Sequence, residues 1–172
     1  MKLTITDCPD KRFEQYVIRA MEFYSEQLIH SKRIRNNCDI EVLFKDDDEF
    51  KVLGYASVVD YNTARKPRYF LIEINARIGA RQIISSLAHE MVHIKQYVHE
   101  ETDSHLSVWK GEPIDSEEID YWVHPWEIDA HGHEAGLITK FAVHEYLWEV
   151  FDGFKNPNIP IVSTPIKWKK IK

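Results

Sequence analysis

The chain has 172 residues, enough for one domain with a real core and too few for two comfortable ones. Its 44% apolar and 29% charged content is that of an ordinary globular chain, and no apolar run is long enough to cross a bilayer. A net charge of -6 argues against a general nucleic-acid binder.

The N-terminus, MKLTITDCPDKRF, has no apolar core of a signal peptide, which points to a cytoplasmic protein. Cys8 and Cys38 form no Cys-x-x-Cys pair and read as free thiols in a reducing compartment. Residues 10 to 31 read as an amphipathic helix. Phe13, Tyr16, Val17, Ala20, Met21, Tyr24 and Leu28 recur at three- and four-residue steps behind Asp10 as N-cap. Three strand-like runs follow, Asp39 to Phe44, Val52 to Tyr61 and Arg68 to Asn75. Their short connections favour an antiparallel meander, with Asp46-Asp47-Asp48-Glu49 as an exposed turn.

Residues 78 to 99 read as a second helix. On a helical wheel, Gln82, Ser85, Ser86, His89, His93 and Gln96 fall within one arc of about 100°. Apart from Glu90 and Lys95, the rest of the segment from Ile83 to Val98 is apolar, so this helix should be buried with its polar stripe facing a cleft. Buried imidazoles need partners. Residues four apart stand one above the other, so His89 and His93 can reach one ion. Glu90 lies beside the stripe, where it can meet a water on that ion without binding the ion itself. Eight of the nine histidines fall between His89 and His144, which adds weight to a metal.

The segment 100 to 124 is irregular, with a short strand expected around Ser107 to Gly111. Residues 125 to 152 read as a third helix, with Pro125 suited to its first turn. It offers Glu127, Asp129, His131, His133 and Glu134 as further donors. Glu127, His131 and Glu134 share one face; Asp129 and His133 point elsewhere. Gly132 and Gly136, four apart, would permit close approach to the active helix. From Lys155 the chain carries Pro157, Pro160 and Pro165 and five lysines with no acid, an extended tail over residues 155–172 after a domain at 1–154.

The run Leu87-Ala88-His89-Glu90-Met91-Val92-His93-Ile94-Lys95-Gln96, followed by Tyr121-Trp122-Val123-His124-Pro125-Trp126-Glu127-Ile128-Asp129-Ala130, resembles the small zincin metallopeptidases. Within them it is most similar to the SprT-like and ImmA-like groups that recur in phage and bacterial genomes. The resemblance covers residues 70 to 135. It implies an α+β domain with an N-terminal helix, a small mostly antiparallel sheet, an active-site helix and a second ligand-bearing helix. It implies Zn2+ held by His89, His93 and Glu127, with Glu90 as general base. His131 stands where Asp or Asn is usual, and is an alternative third ligand. Tyr121 or His124 could donate to an oxyanion. The strand Phe70 to Asn75 would form the upper edge of the cleft and pair with an extended peptide or protein substrate.

The expected activity is peptide hydrolysis in a cytoplasm, that of the host if a phage encodes the chain. A non-peptide amide substrate fits the same residues. So does a function of another class, a zinc-stabilised module without turnover that binds protein, or nucleic acid through the lysine tail. Glu90 argues for the enzyme, because a purely structural site has no use for that carboxylate.

Overall fold

The computed structural model describes residues 1–145 and Leu147. The fold is α+β, a four-stranded sheet covered on one face by helices. Strand β1 (Lys2–Thr6) leads into helix α1 (Lys11–Leu28), a short helix α2 (Lys32–Asn36) and strand β2 (Asp39–Lys45). Strands β3 (Gly54–Tyr61) and β4 (Pro67–Asn75) precede helix α3 (Ala80–Val98). A small hairpin of β5 (Val108–Trp109) and β6 (Glu112–Pro113) and a 3-10 turn at Tyr121–Val123 lead to helix α4 (Pro125–Glu145). The expected continuation of that helix to residue 152, the domain limit at 154 and the lysine-bearing tail lie outside the described residues.

The sheet runs β1-β2-β4-β3. Strands β1 and β2 are parallel, β2 and β4 are parallel, and only β3 runs antiparallel, against β4. The expected meander is therefore corrected to a mixed sheet. The link over residues 46–53 is long enough to carry the chain past one strand position, at about 4.8 Å per strand, and β4 returns into the gap. Consequently β4 is an inner strand and cannot be the edge of a cleft. That edge is β3, bent where Val59 interrupts the register between Val58 and Asp60.

Alternation does the packing. Ile40, Val42 and Phe44 on β2, and Phe70, Ile72 and Ile74 on β4, point one way into the core. The opposite face carries pairs such as Lys45 with Glu73 at 3.3 Å. Asp10 caps α1 by accepting from the Arg12 N–H at 2.8 Å, as its position foretold. The α1 stripe Phe13, Val17, Ala20, Met21 and Tyr24 is buried, and Tyr24 donates to the Ile84 carbonyl at 3.2 Å.

Helix α3 packs against α1, α4, β3 and β4. It is enclosed along nearly its whole length, as its mostly apolar circumference requires. Helix α4 lies along it, burying Trp126, Ala130, Leu137, Ile138 and Phe141. Gly132 and Gly136 do not mediate that contact. A methyl group added at either would meet no atom within 4 Å, because both face away from α3. The close-approach expectation is withdrawn.

Two substitutions test this packing. Leu87→Ala, at a fully buried position of α3, should cost about 2–5 kcal/mol of unfolding free energy. Gly136→Ala should stabilise α4 by about 0.5–1 kcal/mol, because it removes backbone entropy at an open helical site. Chemical denaturation reads both; a destabilising Gly136→Ala would restore the close-approach role.

Candidate metal centre

The polar stripe of α3 meets the ligand face of α4 in the seam between the two helices. Nε2 of His89 and Nε2 of His93 lie 3.2 Å apart. Glu127 brings Oε2 to 3.2 Å from the first and Oε1 to 3.5 Å from the second. The three side chains named from the sequence thus converge on one point. All three residues are buried.

The hydrogen positions follow from the partners. Gln96 donates its amide N–H to the Trp126 carbonyl at 2.9 Å and to Asp129 at 3.0 Å. Its Oε1 therefore faces His93 Nδ1, at 2.9 Å, and must accept from it. Glu134 does the same for His89. Its Oε2 lies 3.3 Å from His89 Nδ1, while its Oε1 accepts from the Ser85 hydroxyl at 2.5 Å. With hydrogen on each Nδ1, both neutral rings present an Nε2 lone pair to the same point, where the Glu127 carboxylate also aims. Three acceptors facing one another repel unless a cation lies among them. Imidazole and carboxylate donors on one side, with partners holding the rings from behind, are a donor set suited to zinc.

In the metal-free chain a proton answers this need. Burial alone would lower the His89 pKa, but its contacts with Glu127 and Glu134 override that and raise it to about 9. Burial would likewise raise Glu127, yet the hydrogen bond with His89 and the nearby His93 ring hold its carboxyl well below the usual range. Glu90 is different. It is buried, and burial lifts it to about 7 although His93 and His89 pull the other way. A carboxyl poised there can exchange a proton near neutrality.

Tyr121 stands on the 3-10 turn at the mouth of the seam, and its hydroxyl donates to Glu127 Oε2 at 2.8 Å. Burial and that bond push its phenol pKa upward, so it stays a donor. His124 is turned away, toward the Ser116 carbonyl at 3.1 Å, with its ring stacked on Trp126. His131 lies beside His89, with ring centres 4.5 Å apart. One donor atom each from His89, Glu127 and His131 lie within 4.8 Å of one another, a second trio sharing two members with the first.

Two contributors have roles other than the sequence reading gave them, and a third, Gly54, escaped it. Asp129 does not point elsewhere: Gln96 and Lys95, at 3.0 and 3.3 Å, reach across to it, because long side chains extend contact beyond the face a wheel assigns. Glu134 was marked as a donor, but it holds the ring of His89 from behind. Gly54 opens β3 directly over the general-base candidate. A methyl group there would stand 2.7 Å from Glu90 Oε1 and 3.1 Å from Ile74 Cδ1. A lone glycine ahead of a strand carries no signal of such a contact.

Metal uptake should release a proton. At pH 8 the free protein holds His89 charged, so each Zn2+ bound should displace about one proton. A histidine titrating near 6.5 would release almost none at that pH. Calorimetry in buffers of different ionisation enthalpy counts it. The same shift makes His89 stabilise the metal-free fold fully below pH 6.5, with that contribution lost as pH rises through about 9. No family model, curated protein or solved structure matches this chain.

Proposed function

We propose that this protein is a zinc-dependent peptidase, a hydrolase of the zincin kind. The observation that carries the reading is the convergence of two imidazole lone pairs and the Glu127 carboxylate on one point, with a buried Glu90 on the same helix next to His89. A purely structural site would not need that carboxylate.

Zn2+, held by His89, His93 and Glu127, would supply Lewis acidity toward a carbonyl oxygen and toward water. The chain's own groups do the rest. Glu90, buried beside His89, accepts the proton of the attacking water and passes it to the leaving amine. Gln96 and Glu134 keep the two imidazoles in the tautomer that binds a cation. Tyr121 is the hydroxyl donor nearest the Glu127 carboxylate and the candidate to meet a developing oxyanion. The extended substrate would lie along β3, the free edge nearest Glu90, where strand addition gives affinity through backbone hydrogen bonds. No helix among the described residues is long and apolar enough to cross a membrane. The free thiols of Cys8 and Cys38 fit a cytoplasmic placement.

Glu90→Gln is the direct test. Zinc content should be retained, and hydrolysis of an unstructured protein such as casein should fall by about a hundredfold or more. Hydrolysis that survived the substitution would remove Glu90 from the mechanism. Gly54→Ala should lower turnover by crowding the same carboxylate, again without loss of zinc.

A further inference from the structure

His131 is the residue that a three-ligand site leaves unexplained. It follows Glu127 by one turn of α4 and faces the same seam. Its Nδ1 lies 3.4 Å from Glu134 Oε2, the oxygen that also faces His89 Nδ1 at 3.3 Å. One carboxylate oxygen therefore fixes hydrogen on Nδ1 of both rings, and each is left with its lone pair on Nε2. A donor atom of His131 falls within 4.8 Å of donor atoms of His89 and Glu127. On its other side the ring stacks on Trp122, with centroids 5.6 Å apart and planes 25° from parallel.

Exposure separates it from the other donors. The side chains of His89 and His93 are each 11% exposed, whereas that of His131 is 44% exposed. Trp122, the other half of its stack, is 69% exposed. The buried donors are fixed by surrounding packing. His131 is held by one carboxylate and one solvent-facing indole, and can swing outward without disturbing the core.

We propose that His131 is a fourth, displaceable donor to the same ion, closing its shell in the resting protein and leaving when substrate takes its place. The proposal rests on the metal reading above. Zinc is normally held by four donors in a closed site and by three with an open place in a catalytic one. A fourth donor on a half-exposed side chain would let one chain adopt both states. The ligand exchange needs no proton, since His131 enters and leaves with the lone pair on Nε2 and the hydrogen on Nδ1.

The full chain loaded with Co2+ tests this, read by visible absorption and by chelator competition for the ion. His131→Phe keeps a ring against Trp122 and removes the lone pair; His131→Ala removes both. Each should weaken ion binding by about tenfold or more and lower the intensity of the cobalt bands. Each should also let added azide perturb the spectrum at concentrations that leave the wild type unchanged. Unaltered affinity and spectrum in both variants, with binding still lost in Glu127→Ala, would sink the fourth donor and leave the three-ligand site standing. Loss of the ion in the His131 variants but not in Glu127→Ala would make His131 the third ligand and overturn the proposal. Retention of the ion in both Glu127→Ala and His89→Ala would overturn the metal reading itself.

Discussion

A carboxylate and two imidazole nitrogens held within 3.5 Å of one another repel unless positive charge lies among them, and much of the domain is arranged to hold them there. The seam between α3 and α4 contains Glu90, Glu127, Asp129 and Glu134 against one lysine, Lys95. Of these acids Glu90 and Glu127 are buried and Asp129 and Glu134 half-buried, and removing carboxylates from water costs free energy that hydrogen bonds alone do not recover. Yet among the described residues no buried side-chain nitrogen or oxygen lacks a partner. The network is satisfied atom by atom, and the positive charge at its centre is a proton on His89 unless a cation takes its place. That combination supports the proposed cation site over a buried polar network that only specifies packing.

The surrounding structure explains why the centre is rigid. Helix α3 is enclosed by α1, α4 and the sheet, so His89 and His93 cannot move without moving the core. Their rings are fixed at the back by Glu134 and Gln96, and Gln96 is fixed in turn by Asp129 and the Trp126 carbonyl. The hydrogen bonds run outward from the centre in two chains, each ending on α4. One helix supplies the imidazoles and the other supplies most of the groups that orient them. The seam therefore forms only when both helices have packed, which couples the site to the fold.

Much of this was legible in the sequence because it depends on helical periodicity. The polar stripe of α3, the burial of that helix and the shared face of Glu127, His131 and Glu134 all follow from residues recurring at three and four; the choice of Glu127 among them came from the family resemblance. The sheet was harder to read. Strand periodicity shows which residues face the core, as the buried alternation Ile40, Val42, Phe44 and Phe70, Ile72, Ile74 illustrates. It does not show which strands are neighbours. Connection length suggested hairpins, but an eight-residue link over 46–53 can also skip a position, and it does. Strand β1 escaped notice because its five residues, KLTIT, lie on an outer edge with Leu3 and Ile5 only half-buried. Asp129 and Glu134 were misjudged for another reason. A wheel assigns faces to one helix, whereas their roles depend on how far Lys95, Gln96 and His89 reach from the other.

The mixed topology has a consequence for the site. Had the sheet been a meander, β4 would have been the free edge beside α3. With β4 inside, the edge passes to β3, and its first residue lies over Glu90. A side chain at that position would press on the carboxylate, so glycine there lets the edge strand close on the helix that carries the proposed general base. The antiparallel direction of β3 brings its glycine end, not its Tyr61 end, to that position, since Gly54 pairs with Ile74 near the end of β4 and α3 begins a few residues later. Strand order, strand direction and one missing side chain together decide where a bound peptide backbone would run relative to Glu90.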